Sequence, residues 1–276
     1  MVRPFIDEPD RVVATGGIVR VVNGSKINSG FIQEVSLSKK PIAILQTVEY
    51  LRAFLFGRMG WSELNSLLIV SGAFGVFKKD IVLKVGGYAE NTIGEDMELV
   101  IKVHKYLKEE KIDYDIVFVP DPVCWTQEPE SFTSLKIQTI RWHRGLIDSL
   151  INHKDMFLNP RFGFIGILAI LFYWLVEMIG PIIEVLGYVT VIASYFLGLL
   201  SYEFAIIFFI ISVLYGVFLS LASVMLEEYN FMKYNRVGDY LKMVFYAIVE
   251  NFGYRQLTTW WRAKAFVGYK RKQNEW

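Results

Sequence analysis

A single cysteine, Cys124, stands in 276 residues, which excludes an intrachain disulfide and any zinc site built on cysteine thiolates. In its PVCW setting it reads as a small buried hydrophobe. Histidine is nearly as scarce. His104, His143 and His153 show no ligand spacing with other donors, so each reads as a surface or helix-packing residue. The opening MVRPFIDEPD lacks the apolar core of a secretory signal. No internal repeat or low-complexity tract breaks the chain. The net charge of +1 gives no global attraction to nucleic acid, so no nucleic-acid partner is expected. The most telling absence is local: residues 162–225 contain no lysine or arginine, and only Glu177, Glu184 and Glu203 carry charge there.

That bare stretch divides the chain. Residues 1–160 are ordinary mixed-charge sequence, residues 161–226 are a membrane block, and residues 227–276 are a basic tail expected to be amphipathic and cytosolic. In the first part VVATGGIVRVVNG, residues 12–24, is β-branched with an Asn-Gly turn, which predicts strands. Residues 41–61 open with proline and space their apolar residues as an amphipathic helix. Residues 66–88 start as a buried strand, pass the small-residue loop Ser71-Gly72-Ala73, form a second strand or turn, and end in a short helix at Gly86-Gly87. Residues 91–111 carry acids in the first turn and lysines in the last, matching a helix dipole, with Thr92 or Gly94 as cap. DIVFVP, residues 115–120, is a strand, and residues 131–153 are helical. Strands alternating with helices predict an α/β layer.

In the membrane block, residues 204–226 suffice for one span with some tilt. Residues 163–199 as one straight helix would be about 55 Å long, against a hydrocarbon core of about 30 Å. With Pro181 near the middle, that segment is either a kinked helix whose first half lies at the interface or a pair of passes. The tail carries Lys233, Arg236, Lys242, Arg255, Arg262, Lys264, Lys270, Arg271 and Lys272, and by the positive-inside rule belongs in the cytosol. His153, Lys154 and Arg161 lean the same way before the block, so the spans are even in number. Two is the simplest reading. Four requires residues 240–252 to insert, against which Lys242 and Glu250 argue.

Two clusters can carry chemistry. In SLKIQTIRWHRG, Gln138 and Arg141 lie three apart on one helix face with Trp142 next to them. A guanidinium fork suits a diphosphate, and an indole face suits a sugar ring. Equally, such a helix can pack its aromatic on lipid headgroups, where tryptophan is common. Gly94-Glu95-Asp96 opens the helix of residues 91–111. Adjacent acids there ordinarily serve the dipole, and the alternative is that Asp96 is a general base for a hydroxyl nucleophile.

The order of VSGAFGVFKKD with KVGGY, then Gly94-Glu95-Asp96, then Gln138-x-x-Arg141-Trp142, then membrane helices resembles the membrane-bound family 2 glycosyltransferases, the group of cellulose, hyaluronan and poly-N-acetylglucosamine synthases. The resemblance runs along essentially the whole chain. It implies an α/β GT-A domain, present in part, followed by transmembrane helices. It also implies a hexosyltransferase that moves a sugar from a nucleotide-diphosphate donor to a saccharide or lipid-linked acceptor with inversion. On that resemblance Asp96 is the base, Gln138 and Arg141 sit by the donor diphosphate, and Trp142, Ser71, Gly72 and Glu95 contact the acceptor. The Arg-Trp pair lies at the membrane edge because the acceptor is there, with membrane lipid as a further partner.

Two departures qualify the pattern. The family has an upstream nucleotide-binding half ending in an Asp-x-Asp metal motif. Here only eleven residues precede Val12, so the expectation is the C-terminal part of an enzyme, inactive alone, with Met1 internal and the ligands for Mg or Mn absent. Asp113-Tyr114-Asp115 has the right letters in the wrong place and reads as a solvated loop. Gly94 replaces the threonine of the usual T-E-D triplet, removing a hydroxyl and keeping the acids. The alternative function is a degenerate membrane scaffold or glycan-binding protein.

Overall fold

The computed structural model describes residues 1–269 apart from Asn91, Met232, Lys233 and Asn235. The expected helix lead at Asn91 and the tail cations Lys233, Lys270, Arg271 and Lys272 lie outside the described residues. After a short helix α1 (Arg3–Asp7), the β-branched run folds as β1 (Val12–Val21), buried along its whole length. Such continuous burial is what a central strand covered on both faces requires. A small exposed hairpin follows, β2 (Lys26–Asn28) with β3 (Phe31–Glu34). Next come α2 (Pro41–Tyr50), a π-helical turn (Leu51–Gly57) and α3 (Arg58–Glu63), one continuous helical rod as the apolar spacing predicts. Then follow β4 (Gly75–Phe77), α4 (Lys79–Lys84), α5 (Glu95–Glu109), β5 (Asp115–Thr126) and α6 (Phe132–Asn152). The main sheet has the order β4-β1-β5, with β4 antiparallel and β5 parallel to β1.

Two strand expectations need correction. Residues 66–70 are buried but form no ladder, because β1 already has a neighbour on each side. Their polar backbone is met elsewhere: His104 Nε2 donates to the Leu67 carbonyl at 2.9 Å, and its Nδ1 accepts from the Tyr114 hydroxyl at 2.7 Å. β5 does not stop at Pro120. The pairing steps from Gly17–Val119 to Ile18–Val123, leaving residues 120–122 outside the ladder, and continues through Cys124 and Trp125. A bulge lets a strand carry prolines that a regular ladder would reject. Asp113-Tyr114-Asp115 is only partly a loop. Tyr114 is a core residue, while Asp113 and Asp115 face Arg11 at 3.8 and 3.0 Å. All three histidines are buried, so packing, not surface, is their place.

Two helices are long and apolar enough to cross a membrane. The first, Ile165–Phe196, is continuous: a π turn (Ile165–Ala169), α7 (Ile170–Phe172), a second π turn (Tyr173–Ile179) and α8 (Gly180–Phe196). Pro181 starts α8, where its missing N–H does little harm. Of the two readings of this segment, the single interrupted helix is the one observed. Its first half packs on the domain, burying Ile165, Ala169, Ile170, Tyr173 and Met178 in the core shared with the sheet. The second candidate span, α9 (Tyr202–Asn230), is far barer, and it runs past the boundary expected at residue 226. α10 (Val237–Val249), 13 residues and about 20 Å long, is too short to cross and buries Asp239, Met243 and Ala247 against the body. α11 (Tyr254–Lys264) packs beside α6 and α8. Arg262 of α11 binds the Glu177 carboxylate at 2.7 Å, and Glu184 takes hydroxyls from Tyr188 and Thr259, so both acids of the first span have partners.

Candidate active site

The site begins at a helix crossing. A Cβ on Gly94 would stand 2.6 Å from the Gly145 carbonyl oxygen, and one on Gly145 would stand 2.9 Å from the Gly94 Cα. The start of α5 and the middle of α6 therefore touch backbone to backbone, an approach that only glycine permits. This explains the missing threonine: a side chain at Gly94 would hold the helices apart. The hydroxyl is supplied two residues earlier, where Thr92 Oγ1 accepts from the Gly94 amide at 3.1 Å. Ser149 on α6 donates to the Gly94 carbonyl at 3.3 Å. One crossing thus fixes the helix bearing Asp96 against the helix bearing Arg141 and Trp142.

Asp96 follows in the first turn of α5. Its Oδ2 accepts from the Gly72 amide at 3.2 Å, and its Oδ1 from the Met97 amide at 2.8 Å. Two backbone donors therefore orient the carboxylate, and the residue stays partly open. The loop of residues 71–73 is thereby brought to Asp96. Glu95, next to it in the chain, is exposed and makes no hydrogen bond or ion pair with the described residues.

On α6, started by the Ser131 hydroxyl accepting from the Ser134 amide, the three motif residues separate in environment. Gln138 Nε2 donates to Glu128 Oε2 at 3.0 Å. Glu128 is buried, and its backbone is held on both sides by the Asn23 amide, at 2.8 and 3.0 Å. Arg141 is exposed and has no partner among the described residues. Trp142, 45% exposed, leans on two aromatic rings, with centroids 6.2 Å from Tyr50 and 6.3 Å from Phe54. Tyr50 and Phe54 themselves meet edge to face at 4.3 Å. Burial, and then the Glu128 carboxylate beside it, push the Tyr50 phenol far above its ordinary value. Glu128 and Tyr50 thus connect Gln138 to the aromatic group under Trp142.

Tyr50, Phe54, Arg58 and Glu128 are the site's neighbours that sequence reasoning missed. The first three had a readable signal, an i, i+4, i+8 spacing on one helix face in EYLRAFLFGR. Glu128 had none beyond its place between a strand end and a helix cap. Among the described residues no three His, Cys, Asp or Glu side chains stand close enough to hold a metal ion together. Asp96 is engaged by amides and Glu128 by Gln138, so the residues here do not fit a metal and no step is assigned to one.

A polar site at a glycine crossing beside membrane helices defines a class, and sequence comparison identifies it. The family model described as Glycosyl transferase family group 2 matches residues 41–221, so the chain belongs to that family. Among relatives, the poly-beta-1,6-N-acetyl-D-glucosamine synthase of Staphylococcus epidermidis is 31% identical over 101 residues, 37% of this chain and 23% of that protein. The synthase of the same name from Staphylococcus aureus is 33% identical over 115 residues, 41% of this chain and 26% of that protein. The probable glycosyltransferase YdaM of Bacillus subtilis is 32% identical over 89 residues, 32% of this chain and 19% of that protein. The chain thus spans about a quarter or less of the length of the relatives it matches. A distant structural likeness is the mannosyltransferase PcManGT from Pyrobaculum calidifontis in complex with GDP-Man and Mn2+, at 14% identity, covering 98% of this chain and 56% of that one with a TM-score of 0.42.

Proposed function

We propose that this chain carries the acceptor and leaving-group side of a membrane-bound, inverting glycosyltransferase that uses a nucleotide-diphosphate sugar. The observation that carries the reading is the Gly94–Gly145 crossing, which sets an amide-oriented Asp96 on one helix against Trp142 and Arg141 on the other, beside the first membrane helix. In the reaction Asp96 takes the proton from an acceptor hydroxyl, the oxygen bonds to the anomeric carbon, and the bond from that carbon to the diphosphate oxygen breaks. Trp142, with Tyr50 and Phe54, offers an aromatic face to the acceptor sugar. Arg141, free and exposed, presents its planar fork to the departing diphosphate. Gln138, with one N–H held by Glu128, keeps the other for the same group. The relatives' names favour N-acetylglucosamine as the sugar. The helices Ile165–Phe196 and Tyr202–Asn230 cross the membrane and leave both flanks in the cytosol, with lipid around them.

The test separates donor from acceptor in the intact membrane-embedded enzyme. Arg141→Lys keeps the charge but loses the fork, so donor use falls. Trp142→Ala removes a stacking face, so acceptor affinity falls and donor binding is spared. If both variants instead lose folded yield and keep full specific activity per folded molecule, the pair is an interfacial anchor and the assignment fails.

A further inference from the structure

Arg58 opens α3 and is 6% exposed. No hydrogen bond or ion pair reaches its guanidinium among the described residues, and its Nη1 is sealed from solvent without a partner. Its contact is a face: the guanidinium carbon lies 4.2 Å from the centroid of the Phe54 ring. Burial pulls the group below its ordinary value, while Tyr173, Asp96 and Tyr50 act on it in the opposite sense and are therefore its electrostatic neighbours. A buried unpaired cation destabilises a fold, and methionine would fill the same space without that penalty. A polar atom left unsatisfied in this way, next to a binding face, points to a ligand.

The chemistry of the neighbours selects the ligand. The Asp96 carboxylate acts on Arg58 without pairing with it, so a ligand placed between them meets a donor on one side and an acceptor on the other. A hydroxyl suits the pair, because its oxygen accepts from a guanidinium N–H while its own hydrogen donates to a carboxylate. Phosphate oxygens cannot donate to Asp96. Phe54 meets Tyr50 edge to face and approaches Trp142, so the cation belongs to the same aromatic group that stacks a sugar. We propose that Arg58 is an acceptor-binding residue, donating to hydroxyl oxygens of the saccharide held against Tyr50, Phe54 and Trp142 beside Asp96. The proposal rests on the acceptor reading of Trp142 and adds a residue to it.

The experiment uses the full chain in lipid nanodiscs, with a β-1,6-linked N-acetylglucosamine pentasaccharide and uridine diphosphate as separate binding probes, and thermal unfolding alongside. Arg58→Met is expected to melt at or above the unsubstituted chain. It should bind the pentasaccharide at least about tenfold more weakly, the scale of one charged hydrogen bond, with uridine diphosphate affinity unchanged. Arg58→Lys, which keeps the charge, falls between. A lower melting temperature with pentasaccharide binding intact would make Arg58 a packing residue and overturn the proposal. So would a loss confined to uridine diphosphate, which would make it an anion site. Trp142→Ala measured in parallel separates the two levels. If it loses the pentasaccharide while Arg58→Met keeps it, the inference fails and the acceptor reading stands. If Trp142→Ala keeps the pentasaccharide, both fail.

Discussion

Two arginines are buried beside the two membrane helices, and they are treated oppositely. Arg20, at the end of β1, is 2% exposed and ion-paired with Glu227 of α9, itself 0% exposed, while its guanidinium also lies 5.3 Å from the Phe231 ring centroid. Arg58, as deeply placed beside Tyr173 of the first helix, has a ring beneath it and no ion pair. Burial and residue type are the same, so neither explains the difference. What differs is what lies next to each. Arg20 sits where the sheet is fastened to the second helix, far along the chain. Arg58 lies over the Phe54 ring, with Asp96 and Tyr50 among the groups that act on it. Arg20 has a carboxylate on Nη1 and leaves Nε and Nη2 without a partner, whereas Arg58 has no carboxylate at all among the described residues.

The comparison breaks most visibly at Glu227. Glu227→Gln strands the Arg20 charge and should destabilise the protein by about 3–5 kcal/mol in denaturant or thermal unfolding. Arg58→Met should cost nothing. Joint replacement of Arg20 by Met and Glu227 by Leu should recover most of the loss, since an apolar pair replaces a buried ion pair at little expense. If Glu227→Gln leaves the unfolding midpoint unchanged, the pair is no fastener and the contrast disappears.

Satisfied burial has a pH signature at the opposite end of α5. His104 is neutral, with burial holding its pKa down from 6.5 to about 4. Because the folded value is depressed, the stabilising contribution is present above pH 6.5 and is lost as pH falls towards 4. The loss should reach roughly 3 kcal/mol, at 1.36 kcal/mol per unit. His104→Gln should flatten the stability profile over that window, and an unchanged slope would mean that other groups govern acid sensitivity.

The smallest expected effect on stability has the more specific effect on function. Gly145→Ala forces a methyl against the Gly94 backbone and should destabilise by about 1–3 kcal/mol, in the range of other overpacked sites. Since the same shift moves Asp96 away from Trp142, transfer should fall by more than the loss of folded protein explains. Equal losses of folded protein and activity would show that the crossing is packing alone.

Much of this was legible in local sequence. The β-branched run made β1, the matched charges made α5, and residues 131–153 formed the helix that carries Gln138, Arg141 and Trp142. Asp96 beside the Ser71-Gly72 loop was legible only through motif order. What was hidden depends on contacts between distant segments. Residues 66–70 have the composition of a strand, yet β1 already has β4 on one side and β5 on the other. β5 continues past two prolines because a bulge removes them from the ladder. Glu128 is recognisable only through Gln138 and Asn23, which lie on separate elements. In sequence Gly94 is a lost hydroxyl, and its reason is the facing Gly145, which no pattern within residues 91–111 contains.

The most direct test of the central claim is the effect of Asp96→Asn on the intact enzyme, with transfer rate and donor affinity measured on the same preparation. Asparagine keeps the shape of the side chain and removes the base. The account predicts that transfer falls by about 10²–10⁴, the usual contribution of a general base, while donor binding stays close to normal. Transfer persisting within about tenfold of the unsubstituted enzyme would contradict it and leave Asp96 as an acid that serves only the start of its helix.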